Sequence, residues 1–238
     1  MGARFWSVST PDQLAQSDLR PLGLMTSLPI YWNEGDAFND LSAENVQLPW
    51  VRATLEQRYR ILPLDLLYAG EGAGSIDELD ALAIIQPRGL SPADNAALDA
   101  WVRGGGHVLI VLDPLLSGEY DAPLGDPRHP TVSALVPPVV TRWGLSLSFD
   151  DAQDEVPRLV QWDEVTVPVL VAGTLSQLKQ GDPSAKGDCA LSAQGMFAQC
   201  KIGSGSAVIM ADAALFEPRV GNAEAQDAIL ALFAKALP

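Results

Sequence analysis

A chain of 238 residues, 47% of them hydrophobic, is long enough to form one large α/β domain. Its 30 acidic residues outnumber its 15 basic residues and give a formal net charge of −15. This balance argues against binding to nucleic acid or to an anionic membrane surface, because phosphate contacts need clustered lysine and arginine side chains. No apolar run reaches the roughly 18–20 residues of a membrane-spanning helix, so we expect no direct membrane span.

The N-terminal part of the chain predicts an arm followed by a βαβ pattern. Residues 1–20 are polar and irregular and predict a surface arm, and residues 21–238 predict a single domain. Leu22–Ile30 is the first predicted strand. A helix is expected after Pro49, where proline suits the first helical turn, and Ile61–Leu67 is the second predicted strand.

The most informative stretch is Leu79–Pro114, which reads LDALAIIQPRGLSPADNAALDAWVRGGGHVLIVLDP. Leu82–Ile85 is an apolar run typical of a strand that is covered on both faces. Ser91 is a good helix N-cap before a proline, and three glycines from Gly104 end the helix. His107–Leu112 is the fourth predicted strand. A right-handed crossover makes the two strands parallel.

The second half of the chain predicts mixed strands and a closing helix. Thr131–Trp143 is expected to be helical at its start, with the proline pair at 137–138 breaking or kinking it. Residues 144–206 predict an insertion of mixed strands, Ala207–Met210 another buried strand, and Asp227–Leu237 the last helix. The whole pattern predicts a flavodoxin-like, doubly wound, mostly parallel sheet with an antiparallel hairpin extension.

The two cysteines, Cys189 and Cys200, flank a predicted hairpin centred on Gln194-Gly195. Counting outward from a two-residue turn places them opposite each other, at a separation that a disulfide can bridge. Two reduced, buried cysteines would fit the same count, so both states stay open. A disulfide would favour the extracytoplasmic, or periplasmic, face of the membrane over the cytoplasm.

Candidate polar residues converge on one predicted edge of the sheet. Asp113 and Asp212 each follow an apolar strand, and the carboxyl ends of parallel strands form the edge where open α/β folds bind ligands. His129, Glu34 and Asp36 lie in loops that could reach the same edge. The aspartates could hold a polar ligand or a hard cation, or each could accept backbone N–H bonds from the turn that follows it.

No catalytic motif accompanies these residues. The turn after the fourth strand holds Asp113-Pro114, where a serine or cysteine nucleophile would be expected. The sequence has no spacing typical of a zinc or calcium site and no glycine-rich phosphate motif. We therefore predict no catalytic residue, no metal and no cofactor. The alternative is a carboxylate- or metal-dependent hydrolase that uses Asp113 and Asp212, with His129 as a further group.

The stretch from Leu79 to Pro114, together with MADAALFEPRVGNAEAQDAILALF at residues 210–233, resembles the extracytoplasmic domain of gliding-motility-type ABC transporter auxiliary proteins. The resemblance covers most of residues 20–238. It implies a fold similar to the class I glutamine amidotransferases, which carry a cysteine where this chain has Asp113. Amidotransferase activity is therefore not implied.

The resemblance implies a non-catalytic accessory or binding module of an ABC-type transport system. Its partners would be a permease or a related membrane subunit, with a glycan or another polymer as a further candidate ligand. The binding surface would lie at the carboxyl edge of the sheet, in the loops at residues 31–45, 69–77 and 113–130.

Overall fold

The computed structural model describes residues 19–32, 48–68, 70, 76–179, 186–218 and 221–237. Its helices and strands follow one another in this order: β1 (Arg20–Thr26), α1 (Trp50–Leu55), β2 (Tyr59–Pro63), β3 (Ala81–Ile85), α2 (Pro92–Gly104), β4 (His107–Val111), α3 (Pro138–Arg142), β5 (Leu145–Ser148), β6 (Arg158–Trp162), β7 (Val165–Val169), β8 (Thr174–Gln177), β9 (Asp188–Ser192), β10 (Phe197–Ile202), β11 (Gly205–Met210) and α4 (Ala223–Ala236).

The central sheet has seven strands in the order β2-β1-β3-β4-β11-β10-β9. The first five are parallel, and numbering them alone along the chain gives the order 2-1-3-4-5, which is the flavodoxin-like arrangement. Strands β10 and β9 continue the sheet as an antiparallel hairpin. The predicted doubly wound, mostly parallel sheet with an antiparallel extension is therefore confirmed.

Two layers cover the sheet, as the uninterrupted apolar runs of its central strands require. Every residue of β3 is buried, and so is every residue of β4 after His107. On one face, the sheet packs against α1, α4 and the antiparallel pair β6–β7. On the other face it packs against α2, α3 and the antiparallel pair β5–β8.

Helix α2 begins where the sequence indicated. The Ser91 hydroxyl accepts a hydrogen bond from the Asp94 amide, and the Asp94 carboxylate accepts one from the Ser91 amide, at 3.1 Å each. The other carboxylate oxygen of Asp94 accepts the amides of Leu67 and Tyr68 at 2.8 and 3.0 Å. Burial raises the pKa of Asp94, but the bonds from Ser91, Tyr68 and Leu67 outweigh it and the net pKa is lowered. One buried carboxylate thus caps the helix and fixes the chain after β2.

The expected helix at the start of residues 131–143 is wrong. Residues 131–137 are not helical, and the proline pair begins α3 instead of breaking a helix. Pro137 is the N-cap and Pro138 the first helical residue. Proline is favoured there because the first helical N–H has no partner within the helix.

The two cysteines lie opposite each other in the β9–β10 pair and form a disulfide, with their Cα atoms 4.0 Å apart. Strand β9 is the outermost strand of the sheet, so the bond ties that edge strand to its neighbour. Gln177, at the end of β8, donates a side-chain hydrogen bond to the carbonyl of Cys189 at 2.5 Å.

Candidate functional site

The carboxyl edge of the parallel sheet is where the fold brings the predicted aspartates together. Asp113 follows β4 after one residue and Asp212 follows β11 after one residue, and β4 and β11 are hydrogen-bonded neighbours. Only 1% of Asp113 and 0% of Asp212 is exposed. Both side chains therefore lie beneath the surface of the edge, not on it.

Both carboxylate oxygens of Asp113 are used by the backbone. Oδ1 accepts the amide of Leu115, two residues further on, at 2.8 Å. Oδ2 accepts the amide of Ala213, which follows β11, at 2.8 Å. The side chain thus fixes its own turn and joins the ends of β4 and β11.

Asp212 does the same for the neighbouring connection. Its Oδ1 accepts the amide of Ala214 at 2.8 Å, and its Oδ2 accepts the amide of Leu170 at 2.8 Å. Leu170 follows β7, so Asp212 attaches the β6–β7 pair to the end of β11. Of the two roles that the sequence allowed for the aspartates, their contacts in the structure match that of backbone acceptors.

A third buried carboxyl group, Glu217, was not identified from the sequence. It is 3% exposed, and its Oε1 accepts the amide and the hydroxyl of Ser117 at 3.1 and 3.4 Å. The Gly118 backbone also donates to this carboxylate and lies so close to it that a Cβ there would collide with Oε2. Glu217 thus holds the start of the long loop after β4. No local pattern sets it apart from other acidic loop residues.

The pKa values of all three carboxyl groups are raised. Burial, with a smaller contribution from the charge of Glu217, raises the pKa of Asp113 to about 6 against the opposing hydrogen bonds from Ala213 and Leu115. Burial and then the charge of Asp113 raise the pKa of Asp212 well above its usual range. Burial also raises the pKa of Glu217. The folded protein therefore binds these protons more tightly than an unfolded chain would.

Gln86, at the end of β3, is a second residue that the sequence did not single out. Its side-chain Nε2 donates to the carbonyls of Asp113 and Thr131 at 3.0 and 2.8 Å, and its Oε1 accepts the amide of Asp113 at 2.8 Å. It is fully buried and has a φ of 44°, which is unusual for a residue other than glycine. The Ser27 hydroxyl donates to the Gln86 carbonyl and accepts the Thr131 amide. This network joins the ends of β1, β3 and β4 to the loop above them.

His129, another predicted site residue, makes its contacts elsewhere. The Nδ1 atom of His129 lies 2.8 Å from the carbonyl oxygen of Pro130, and its ring contacts Tyr120 with 5.7 Å between centroids. The described hydrogen bonds include none between its imidazole and Asp113 or Asp212. Glu34 and Asp36 lie outside the described residues.

Asp113 and Asp212 are enclosed at this edge of the sheet. Each of their four carboxylate oxygens accepts one backbone N–H group. Within the described ranges, no group of three or more His, Cys, Asp or Glu side chains is arranged to hold a metal ion. Among the helices that the structure describes, none is both long enough and apolar enough to cross a bilayer.

The fold and this edge define a flavodoxin-like α/β domain whose usual ligand edge is closed by buried, backbone-bonded carboxyl groups. The sequence matches a family described as an ABC-type uncharacterized transport system over residues 22–186, more than half of the chain. The chain therefore belongs to this family of auxiliary ABC-type transport components. A comparison with curated proteins gives no match.

Solved structures to which this chain shows some similarity include two glycosidases and a protein of unstated activity. Exo-β-1,4-mannosidase Op5Man5 from Opitutaceae bacterium strain TAV5 is 13% identical with a TM-score of 0.51, over 92% of this chain and 36% of that enzyme. A β-galactosidase from Bacillus circulans sp. alkalophilus is 8% identical with a TM-score of 0.48, over 91% and 31% of the two chains. Cytoplasmic protein STM3548 from Salmonella typhimurium is 11% identical with a TM-score of 0.48, over 92% and 99%. The chain spans about a third of the mannosidase, and at such identity the likeness concerns the fold alone.

Proposed function

We propose that this chain is a non-catalytic accessory module that serves an ABC-type transport system by binding another of its components. The family match supports the association with transport. The observation that carries the non-catalytic part is Asp113, which occupies the turn after β4 and has both oxygens bonded to the amides of Leu115 and Ala213. A carboxyl group that is also buried is poorly placed to attack a substrate or to bind one.

The proposal includes the closer resemblance, which is to gliding-motility-type auxiliary proteins with an amidotransferase-like fold. The 2-1-3-4-5 order of the parallel strands is the flavodoxin-like order, which supports the proposal of an amidotransferase-like fold. Residues 21–238 would form one domain, with residues 144–206 as an insertion and residues 1–20 as an arm. The Cys189–Cys200 disulfide supports an extracytoplasmic location, since such bonds persist in oxidising compartments.

The proposed partner is the permease or a related membrane subunit of the transporter. A glycan or another polymer is the other candidate ligand at the carboxyl edge, where His129 would offer a polar contact. The test is a binding titration of the full chain against the cognate ATPase–permease complex in lipid nanodiscs. We expect saturable binding that is the same for the wild type and for Asp113→Asn. Absence of binding by the folded wild type would overturn the proposed function.

The rival function is a carboxylate-dependent hydrolase, and one observation favours it. A carboxyl group with a pKa of about 6 is suited to general acid–base catalysis near neutral pH. The burial of Asp113 and Asp212 argues against it, because no reacting atom can approach them. A screen of ester, glycoside and phosphoester substrates, with and without a chelator, tests it. Hydrolysis by the wild type that is lost in both Asp113→Asn and Asp212→Asn would establish this rival.

A further inference from the structure

We propose that residues 149–159, together with Leu115, form a docking surface for a basic protein face that carries apolar side chains, contributed by a transporter subunit. We name this surface the acidic rim. The inference rests on the proposed function and adds to it the place of binding and the chemistry of the partner.

The acidic rim exposes large apolar side chains that the fold does not cover. Val156 is 64% exposed and Leu159 is 74% exposed, while Phe149 and Leu115 are each 38% exposed. Single exposed apolar residues are ordinary, but several within one short segment mark a surface that another molecule covers. Leu159 lies in β6, whose last residue, Trp162, is buried and stacks on Phe197 with 4.6 Å between ring centroids, so this end of the segment is anchored to the fold.

The segment is fixed at the carboxyl edge by hydrogen bonds. The Gln153 side chain donates to the carbonyls of Asp150 and Ala172 at 2.8 and 3.0 Å. The next residue, Gly173, donates its amide to Ala211 at 2.7 Å, at the end of β11. A Cβ at Gly173 would lie 2.7 Å from Pro114, so this connection packs directly beside the Asp113-Pro114 turn. Leu115 follows this turn directly.

Acidic groups lie between these apolar residues. Four exposed carboxylates occur within six residues, and Arg158 is the one basic residue of the segment. The four are Asp150, Asp151, Asp154 and Glu155. In the loop after β4, which shares this edge, Arg128 is paired with Asp126 at 2.7 Å. The segment is thus acidic, in a protein whose net charge is −15.

This combination selects the class of partner. An acidic surface repels nucleic acid and anionic lipid and attracts a surface rich in lysine and arginine. Apolar side chains surrounded by polar groups are the usual composition of a protein–protein interface. The turn is ordered in advance, because the Asp150 carboxylate accepts the amide of Ala152 at 3.0 Å. The acidic rim therefore fits a protein face that carries basic side chains with apolar side chains among them.

The experiment compares matched charge-reversal variants of the full chain in the nanodisc titration. The test variant changes Asp151, Asp154 and Glu155 to lysine and keeps Asp150, whose carboxylate holds the turn. The control variant changes three exposed acidic residues elsewhere to lysine: Glu78, Asp80 and Asp227. A third variant, Val156→Ser with Leu159→Ser, removes apolar contacts without a change of charge. Circular dichroism and urea midpoints establish that each variant is folded.

We expect the test variant to bind at least about tenfold more weakly at about 50 mM salt, and the loss to shrink at about 500 mM as the charges are screened. The control should bind within about twofold of the wild type, and the serine variant should lose affinity at both salt concentrations. If the wild type binds and the test variant binds equally well, the acidic rim is not the docking surface, and the proposed function stands. If the wild type binds no complex but is retained by immobilised polysaccharide, both proposals are overturned.

Discussion

Replacement of Asp113 by asparagine should remove a large part of the pH dependence of stability. The pKa of Asp113 is raised to about 6 in the folded protein, mainly by burial, whereas an unfolded aspartate titrates near about 3.9. The folded state therefore binds this proton more tightly, and protonation stabilises it. The contribution is complete below about pH 4 and is lost as the pH rises through about 6.

The magnitude follows from this difference in pKa. Between pH 8 and pH 5, proton linkage to Asp113 alone adds about 1.4 kcal/mol to the free energy of unfolding. The raised pKa of Asp212 contributes in the same direction and depends partly on the charge of Asp113, so the substitution removes some of that contribution as well. Asparagine also leaves one of the two amides of Leu115 and Ala213 without an acceptor, which costs about 1–3 kcal/mol at every pH. That loss cancels when the two pH values are compared within one variant.

The assay is urea unfolding of the wild type and of Asp113→Asn at pH 5 and pH 8, with the disulfide intact. We expect the wild type to be more stable at pH 5 and the variant to lose at least about 1.4 kcal/mol of that difference. Asp150→Asn, which removes one exposed negative charge, is the matched control. An equal pH difference in the wild type and in Asp113→Asn would refute the reasoning, because Asp113 would then not carry a raised pKa in the fold.

Three further predictions concern the fold. Asp94→Ala should lower the free energy of unfolding by about 2–4 kcal/mol in urea titrations, because it removes the acceptor of the Leu67, Tyr68 and Ser91 amides. An unchanged urea midpoint would contradict the capping role of Asp94. Reduction of the Cys189–Cys200 disulfide, or replacement of both cysteines by serine, should lower the free energy of unfolding by about 3 kcal/mol, the value expected for a short loop. Thiol titration of the untreated folded protein should detect no free thiol. Gly205→Ala should destabilise the folded protein strongly, because its Cβ would meet the carbonyls of Val102 and Gly106. Gly104→Ala should cost no stability, because there is open space around Gly104. Equal melting temperatures for the two variants would contradict the described packing.

The fold was predictable where local signals agree with tertiary structure. The apolar runs of β3 and β4 and the Ser91-Pro92 start of α2 indicate parallel strands around a crossover helix, as observed. The proline pair at the start of α3 misled the prediction, because proline breaks a helix in its interior but favours its first turn. The choice between these effects depends on packing against α2 and β5, which periodicity does not reveal.

The site was predictable only in part for a similar reason. A strand that ends in aspartate indicates a residue at the carboxyl edge, and Asp113 and Asp212 lie there. Whether such a carboxylate faces a ligand or a backbone amide depends on partners distant in sequence, such as Ala213 for Asp113 and Leu170 for Asp212. Glu217 was missed because its partner, Ser117, precedes it by 100 residues and belongs to another loop.

The central claim is that this domain binds a component of an ABC-type transporter and performs no chemistry at its closed edge. The most direct measurement is the titration of the wild type and Asp113→Asn against the cognate ATPase–permease complex, with hydrolytic activity recorded on the same samples. The account predicts saturable binding with the same Kd for both proteins and no turnover by either. Turnover by the wild type that disappears in Asp113→Asn, without binding to the transporter, would contradict it.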